Sequence, residues 1–419
     1  MRVAVVGLGY VGLPLAHAFA KAGHEVFGYD IAEARIRELQ EGRDRTGELS
    51  AEQLREVRIT YTTDPRILEQ AEVIVIAIPT PVDEQNRPDL RLLMQGAETV
   101  GKHLRKGHII VLESTVYPGV TEEICGPILE RASGLRCGVD FTLGYAPERM
   151  NPGDKEHTVD KIVKVVAAQD PNTLDVLCTL YGSIVKAGIH RAPSIKVAEM
   201  AKAIENAQRD LNIAYVNEVA LLCHTLGIAT KDVLAAAATK WNFLRFSPGL
   251  VGGHCIGVDP YYLVEKARQL GMHTHIINAG RALNDEMAGY VAGEILDALG
   301  SAHGKRVLVL GLTFKEDVPD TRNSKAFEVV ATLARGGCGV EVADPYLSEN
   351  DIRTRGLTPG SLEHGPYDAL VLLVPHRQYR NLSLPQLLAA TKEDALIYDL
   401  KSTLEHRSIE ETGRVYRAL

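Results

Sequence analysis

The sequence predicts an α/β protein in which two doubly wound parallel sheets are joined by a central helical region with one long helix. A short apolar strand runs directly into a glycine-rich turn near the N-terminus. Further strands are apolar almost throughout, as strands buried on both faces of a parallel sheet are. The same succession of strand ends recurs after about residue 300, which indicates an internal repeat. We therefore expect domains over residues 1–193, 194–300 and 301–419.

Length, charge and cysteine usage narrow the class of protein. The 419 residues, 45% hydrophobic and 24% charged, suggest about two to three globular domains. A net charge of -8 argues against a binder of nucleic acid or of anionic membranes. The six cysteines form no Cys-x-x-Cys pair, so we expect no metal site and no disulfide framework. We find neither a signal peptide nor a membrane-spanning run and predict a cytoplasmic protein.

The turn after the first strand carries a dinucleotide-binding pattern. Gly7-Leu-Gly-Tyr-Val-Gly12 follows the strand and opens a helical segment. The first glycine permits a tight turn, the second lets the backbone approach a pyrophosphate, and the third lets helix and strand pack closely. This pattern predicts a Rossmann-like domain. The cofactor-binding residues that we predict in the turn are Gly7, Gly9, Tyr10, Val11 and Gly12.

Asp30 selects between the two nicotinamide cofactors. It follows the second strand, where a carboxylate can accept hydrogen bonds from the ribose 2′-hydroxyl and would repel a 2′-phosphate. NAD is therefore the predicted cofactor. Arg35 follows in the next helical segment, where it either stacks on the adenine or lies on a solvated helix face, and we favour stacking.

Polar residues follow three further strands of the predicted sheet. Thr80 comes after the strand at 73–78, Thr115 after the strand at 108–113, and Glu148 after the next strand. Ligands of such sheets bind at the carboxyl ends of the strands, so we expect these side chains near the nicotinamide half of the cofactor. Turn formation explains Thr80 equally well and Thr115 less well.

A long helical pattern opens the central region. It begins after Ser194, a suitable N-cap, and stops before Gly227. Lys202 and Asn206 share one face of this helix. Directed into a cleft, they would supply an ammonium and an amide donor to a developing oxyanion. The alternative is a solvated face. A helix of this length needs an apolar partner, and we predict a homodimer through it.

Residues 249–260 combine several glycines with one thiol and one carboxylate. Gly249 and Gly252 allow unusual backbone angles or the close approach of a ligand. Cys255 and Asp259 are four residues apart, which suits the same side of a first helical turn. A lone cysteine is often a small core residue, but a core position has no use for these glycines. We predict that Cys255 is a covalent nucleophile.

The second α/β pattern differs from the first in its turn. It keeps one glycine, Gly311, and has Thr313 in place of the next. We therefore expect it to bind a different nucleotide, or to present the phosphates differently. The loop that follows carries Lys315 and Arg322, which suit phosphate recognition.

Over nearly its full length the chain resembles the UDP-glucose/GDP-mannose dehydrogenase family of nucleotide-sugar 6-dehydrogenases. The motifs that carry the resemblance are Gly7-Leu-Gly-Tyr-Val-Gly12, Glu113-Ser-Thr-Val-Tyr-Pro-Gly119, Pro147-Glu148, Lys202-x-x-x-Asn206, Gly252-Gly-His-Cys-Ile-Gly-Val-Asp259 and Phe314-Lys to Asp320-Thr-Arg322. The resemblance implies an N-terminal NAD domain, a central dimer-forming region and a C-terminal domain that binds a nucleotide sugar.

The resemblance also implies a four-electron oxidation of the sugar C6 alcohol to a carboxylate, with two NAD per turnover. Cys255 would capture the aldehyde, and Glu148 would activate the water that releases the thioester. The first proton would go to Lys202 or to a water positioned by Asp259. The implied catalytic residues are Cys255, Lys202, Asn206, Asp259, Glu148 and Thr115. The implied substrate-binding residues are Glu148, Arg149, Met150, Asn151, Lys202, Asn206, Arg245, Phe246, Gly249, Gly252 and Lys315. The implied cofactor-binding residues outside the turn are Asp30, Arg35, Thr80, Thr115 and Arg322.

One departure leaves the substrate open. Pro152 occupies the position where the UDP-glucose branch of the family has a second glutamate. In this departure the chain is similar to the subgroup that acts on UDP-N-acetylhexosamines. UDP-glucose, a UDP-N-acetylhexosamine and a dTDP-sugar all stay open. A two-electron NAD-dependent hydroxyacid dehydrogenase is the main alternative, although it would not need Cys255 or a second nucleotide domain. A non-catalytic nucleotide sensor is a further alternative.

Overall fold

The structure is a computed structural model that describes residues 1–149 and 159–419. The chain separates into two compact units. The first comprises Met1–Glu205 and Tyr261–Met272, and the second comprises Asn206–Pro260 and His273–Leu419. Two predicted substrate-binding residues, Met150 and Asn151, lie outside the described residues.

In the part of the chain that the structure describes, an eight-stranded sheet forms the centre of the first unit. Its strands are β1 (Arg2–Val6), β2 (Glu25–Tyr29), β3 (Ile59–Thr62), β4 (Val73–Ile76), β5 (Ile109–Leu112), β6 (Thr142–Tyr145), β7 (Lys164–Ala168) and β8 (Ile189–Arg191). They are ordered β3-β2-β1-β4-β5-β6-β7-β8. The pairs from β3 to β6 are parallel, and β6 pairs with β7 in the antiparallel direction. The order from β3 to β6 is that of dinucleotide-binding domains.

Helices connect these strands and cover the sheet. They are α1 (Gly12–Lys21), α2 (Glu33–Gln40), α3 (Ala51–Glu56), α4 (Arg91–Lys102), α5 (Gly126–Ser133) and α6 (Pro171–Gly182). All residues of β4 are buried, and α1 contributes Leu13, Leu15 and Phe19 to the core. The prediction that the central strands are buried on both faces is therefore confirmed.

The central region is helical, as predicted. The long helix α7 (Ile195–Leu226) has 32 residues. Ser194 Oγ accepts a hydrogen bond of 3.3 Å from the N–H of Val197, and Gly227 follows the helix with a φ of 66°. The helices that follow are α8 (Thr230–Ala237), α9 (Asp259–Gln269) and α10 (His275–Leu299). Among the described residues, no helix combines the length and apolar character needed to cross a membrane.

Within residues 159–419, a six-stranded sheet forms the centre of the second unit. Its strands are β9 (Arg306–Leu310), β10 (Gly339–Ala343), β11 (Thr358–Pro359), β12 (Tyr367–Leu372), β13 (Thr391–Asp399) and β14 (Val415–Arg417), and its helices are α11 (Ala326–Arg335), α12 (Glu349–Thr354), α13 (Arg377–Arg380), α14 (Leu384–Ala390) and α15 (His406–Glu410). The parallel order β11-β10-β9-β12-β13-β14 repeats that of β3 to β6. The predicted fold class and internal repeat are confirmed.

Candidate active site

The glycine-rich turn joins β1 to α1. Gly7 has a φ of 91°, and its N–H donates to the carbonyl oxygen of Tyr29 over 2.9 Å. A Cβ on Gly12 would lie 1.8 Å from the Gly7 carbonyl oxygen, whereas a Cβ on Gly9 would meet no atom within 4 Å. Tyr10 and Val11 directly precede α1. The turn thus leaves open space at Gly9 beside a helix N-terminus, an arrangement that fits a pyrophosphate.

Asp30 follows β2 and is partly exposed. Its carboxylate accepts hydrogen bonds of 2.9 Å from the N–H groups of Leu8 and Ala32. Arg35 is buried, donates to the carbonyl oxygen of Leu8 over 2.8 Å, and pairs with Asp44 over 2.8 Å. The alternative in which Arg35 lies on a solvated helix face is therefore wrong. Through its hydrogen bond to Leu8, the Arg35 guanidinium helps to hold the glycine-rich turn in place.

Thr80 and Thr115 follow adjacent strands of the first unit and are brought together. The hydroxyl of Thr80 donates to the carbonyl oxygen of Thr115 over 2.7 Å, and the hydroxyl of Tyr262 donates to the carbonyl oxygen of Thr80. Ser114 donates to the carbonyl oxygen of Ile78 over 2.6 Å. These bonds link the two loops at the carboxyl ends of β4 and β5, where ligands of such sheets bind.

Glu148 follows β6 and is held from two sides. Its Oε1 accepts a hydrogen bond of 2.7 Å from the backbone N–H of Arg149, and its Oε2 lies 3.4 Å from Nζ of Lys164. The same Nζ lies 2.7 Å from Oε2 of Glu113. The guanidinium of Arg149 pairs with Glu205 over 2.8 Å. A buried lysine thus bridges two carboxylates at this end of the sheet.

The first turns of α7 are anchored by a buried carboxylate. Glu199 accepts hydrogen bonds of 2.6 Å and 2.9 Å from the N–H groups of Gly119 and Thr121. One and two turns further along α7, Lys202 and Asn206 are only 6% and 8% exposed. The alternative in which these two residues lie on a solvated helix face is therefore wrong.

Cys255 lies in the turn that precedes α9 and is half-buried. The N–H of Asp259, the first residue of α9, donates to the carbonyl oxygen of Cys255 over 2.8 Å. Within the second unit, Nδ2 of Asn206 donates to Oδ2 of Asp259 over 2.5 Å. The amide of α7 and the carboxylate of α9 are therefore fixed against each other, one helical turn from the thiol.

The backbone before Cys255 is fixed by a side chain of α7. Asn217 Oδ1 accepts the N–H of Gly249 over 2.8 Å, and Asn217 Nδ2 donates to the Gly249 carbonyl oxygen over 3.1 Å. A Cβ on Gly252 would lie 2.7 Å from the carbonyl oxygen of Asn323. Gly252 therefore occupies a position where the surrounding backbone leaves little room for a side chain.

In the second unit, the carboxylate equivalent to Asp30 is turned inward. Asp344 accepts hydrogen bonds from Leu312, Thr313 and Tyr346 N–H groups, with the one from Leu312 at 2.6 Å. Nε2 of the buried His376 lies 3.1 Å from Oδ2 of Asp344. Burial raises the pKa of Asp344, but these hydrogen bonds outweigh it and hold the pKa below its ordinary value.

Several cationic side chains of the second unit surround open space. A cavity of about 270 Å³ is lined by Arg245 and Phe246, together with Phe243, Lys231 and Lys401. Lys315 lines a second cleft that shares Lys401 and includes Gly252. Arg322 Nη2 lies 2.6 Å from Oδ2 of Asp320. Most of the predicted substrate-binding residues of this unit thus border one of the two spaces.

Reasoning from the sequence missed Lys164 and Asn217, and it gave Glu113 no role beyond its place in a motif. Lys164, Glu113 and Asn217 all make buried contacts with predicted site residues or their loops. A signal was present for Lys164, which opens the otherwise apolar strand Lys164-Val-Val-Ala-Ala. No comparable signal marks Asn217, because polar residues are frequent along α7.

Comparison with known protein families shows which family the chain belongs to. Residues 1–185 match the NAD binding domain of the UDP-glucose/GDP-mannose dehydrogenase family, residues 196–286 match its central domain, and residues 308–406 match its UDP binding domain. The chain belongs to this family. The predicted resemblance is thereby confirmed, as are the prediction of an NAD-dependent oxidoreductase and of NAD as its cofactor.

Full-length relatives agree with this assignment. The chain is 49% identical over 412 residues, covering 97% of each sequence, to a UDP-N-acetyl-D-glucosamine 6-dehydrogenase from Pseudomonas aeruginosa. It is 44% identical over 411 residues, covering 96% of each sequence, to an enzyme of the same name from Salmonella typhi. A solved structure of a UDP-D-ManNAc dehydrogenase from Pyrococcus horikoshii superposes with a TM-score of 0.91, at 31% identity, over 100% of this chain and 99% of the other.

Proposed function

We propose that this member of the family oxidises the C6 hydroxymethyl group of a UDP-N-acetylhexosamine to the uronic acid, in a four-electron reaction with two NAD. The observation that carries the proposal is the 49% identity over 97% of the chain to a UDP-N-acetyl-D-glucosamine 6-dehydrogenase. UDP-glucose and dTDP-sugars are the competing substrates, and the same assay distinguishes them.

The first oxidation removes a hydride and a proton from the C6 alcohol. When held at the turn of Gly7, Gly9 and Gly12, NAD would supply the hydride acceptor for each of the two oxidations. Lys202, or a water held by Asp259, accepts the alcohol proton. Lys202 and Asn206 then stabilise the negative oxygen at C6 with an ammonium and an amide donor. Their low exposure supports this role, since charge stabilisation is strongest where water is excluded.

Cys255 adds to the resulting aldehyde through Sγ and forms a thiohemiacetal. Loss of the hydroxyl proton and of the second hydride from the same carbon converts the thiohemiacetal to a thioester. Glu148 then takes a proton from water as the water oxygen attacks the thioester carbon. The carbon–sulfur bond breaks, the thiol is regenerated and the acid is released. The position of Cys255 in a turn rather than in a core supports the covalent role.

The second unit supplies the groups for the nucleotide. Arg245, Lys315 and Lys401 are cationic and border the two open spaces of that unit. A diphosphate requires cationic partners of this kind, and Phe246 offers an aromatic surface to an apolar part of the substrate. Thr80, Thr115 and Asp30 serve the cofactor in the first unit.

The test is the amount of NADH formed per nucleotide sugar. UDP-N-acetylglucosamine, UDP-glucose and a dTDP-hexose are each supplied in limiting amount, with the acid product measured by mass spectrometry. We expect two NADH per molecule of UDP-N-acetylhexosamine and no activity with a 6-deoxy sugar. One NADH per substrate would instead support the two-electron dehydrogenase and remove the thioester from the mechanism.

Two variants separate the covalent step from hydrolysis. Cys255→Ser should lower the four-electron rate at least about 10³-fold. Glu148→Gln should instead accumulate an adduct on Cys255, detected by intact mass. Cys178→Ser is the matched control, because that thiol is also half-buried and has no proposed role. Normal uronic acid formation by Cys255→Ser would overturn the covalent mechanism.

We infer further that α7 pairs with a second copy of the chain. Tyr215, Leu222 and Leu226 of this helix are 59%, 58% and 62% exposed, and exposed apolar side chains on one helix support a protein interface. Sedimentation velocity should show a dimer for the wild type and a monomer for Tyr215→Glu combined with Leu222→Glu. A wild-type monomer would refute this inference.

A further inference from the structure

A buried lysine lies between two carboxylates in the first unit. Nζ of Lys164 is 2.7 Å from Oε2 of Glu113 and 3.4 Å from Oε2 of Glu148. The side chains of Lys164 and Glu113 are 5% and 0% exposed, and that of Glu148 is 13% exposed. Three sheet elements supply these residues, since Glu113 follows β5, Glu148 follows β6 and Lys164 opens β7.

The charges of this group are mutually dependent. Burial opposes the ammonium, but the two carboxylates outweigh it and raise the pKa of Lys164. Burial also raises the pKa of Glu113, to about 7, despite the ammonium beside it. Lys164 therefore stays protonated, and the negative charge of Glu113 depends on the ammonium beside it.

A purely structural role explains this arrangement poorly. A buried ion pair stabilises a fold no better than well-packed apolar side chains of similar volume. The cluster also lies at the carboxyl end of β5, the end at which ligands of such sheets bind. The most exposed of its three members is Glu148, which is also the only one with a proposed chemical role.

We propose that Lys164 is a positioning residue that holds Glu148 as an oriented carboxylate for thioester hydrolysis, with Glu113 as the buried counter-charge that keeps the lysine in place. This inference rests on the proposed function. The Arg149 N–H fixes Oε1 of Glu148 over 2.7 Å, and Lys164 approaches Oε2. A carboxylate has about four lone-pair sites, so these two contacts do not by themselves occupy all of its acceptor capacity.

The groups that face the Glu148 carboxylate determine its titration. Lys164 of β7 contributes a positive charge, and Glu113 after β5 contributes a negative charge behind it. Tyr181 of α6 contributes a buried hydroxyl, and its ring centroid lies 5.3 Å from Nζ of Lys164. The guanidinium of Arg149 is turned to Glu205. Removing the lysine should therefore favour protonated Glu148, whereas removing the Glu113 charge should favour ionised Glu148.

The experiment measures decay of the Cys255 adduct in single turnover as a function of pH. Hydrolysis rises with pH as its base ionises. Lys164→Met should move this rise to higher pH by about one pH unit, and Glu113→Gln should move it to lower pH by about one pH unit. Lys186→Met is the matched control, since its side chain is 86% exposed, and it should leave the profile unchanged.

The outcomes are separable. Opposite shifts in the two variants support the proposal, and unchanged profiles or shifts in the same direction overturn it. If Lys164→Met fails to fold, Glu113→Gln decides alone: a shift to lower pH supports the proposal, and any other result overturns it. Failure of the proposed function would give a different result: the wild type would form no adduct, or Glu148→Gln would hydrolyse the adduct at the normal rate.

Discussion

Alanine substitutions at two glycines of one turn should have different effects on folding and on NAD binding. A Cβ on Gly12 would lie 1.8 Å from the carbonyl oxygen of Gly7 and 3.2 Å from Cβ of Ala77. To reach an ordinary contact of roughly 3.5 Å, α1 and the turn would have to separate by about 1.7 Å. A Cβ on Gly9 would meet no atom within 4 Å. The first change therefore strains the protein, and the second fills only open space.

These distances set the expected magnitudes. Overpacking against backbone at Gly12 should cost about 3 kcal/mol of unfolding free energy, which lowers the melting temperature of a unit of this size by roughly 6–12 °C. Gly9→Ala should change the unfolding free energy by less than about 0.5 kcal/mol. Because its methyl group would occupy the space assigned to the pyrophosphate, it should weaken NADH binding about tenfold or more, or ~1.4 kcal/mol.

The assays are thermal unfolding followed by circular dichroism and calorimetric titration with NADH. Gly182→Ala is the matched control, because a Cβ at this position at the end of α6 also meets no atom within 4 Å. It should change neither measurement. A wild-type melting temperature for Gly12→Ala would refute the packing argument. Wild-type NADH affinity for Gly9→Ala would refute the assignment of the turn to the pyrophosphate.

Two further predictions concern the second unit. Asn217→Ala leaves both polar backbone groups of Gly249 without this partner and should cost about 2–4 kcal/mol in urea unfolding, whereas Asn350→Ala, at an exposed position of α12, should cost less than about 0.5 kcal/mol; equal costs would contradict the role of Asn217. Asp344 has a lowered pKa, so its stabilisation is present above its ordinary pKa of about 4 and is lost as pH falls through the folded value. The deficit of Asp344→Asn in unfolding free energy should therefore be largest near neutral pH and shrink in acid, and a deficit that is independent of pH would contradict the lowered pKa of Asp344.

The sequence predicted those features of the fold that local patterns encode. The glycine-rich turn, the apolar strands and the limits of α7 all depend on residues within one or two turns of each other. Ser194 and Gly227 bounded α7 within one residue because capping is a local interaction. The second sheet was predicted because its strand ends repeat the residue types of the first, and the observed strand order bears this out.

Features that depend on distant partners could not be predicted. The sequence places Arg35 at the adenine or in solvent, and neither alternative includes its ion pair with Asp44, an acceptor in the loop after α2 that no pattern links to the helix. Lys164 meets Glu113, 51 residues earlier in the chain. A sequence pattern gives the element on which a cationic side chain lies. The tertiary structure determines which of the many carboxylates becomes its partner.

The two equivalent carboxylates show how the repeated folds have diverged. In both sheets an aspartate after the second strand accepts the N–H of a leucine in the glycine turn, Leu8 for Asp30 and Leu312 for Asp344. Asp30 remains partly exposed and can still accept hydrogen bonds from a ribose. The carboxylate oxygens of Asp344 are occupied by hydrogen bonds from further backbone N–H groups and by His376. The N–H of Asp317 donates to Nδ1 of His376, so Nε2 is the ring nitrogen that can donate to Asp344. A ribose would have to displace that histidine, and the second sheet must therefore bind its nucleotide through other groups than this carboxylate.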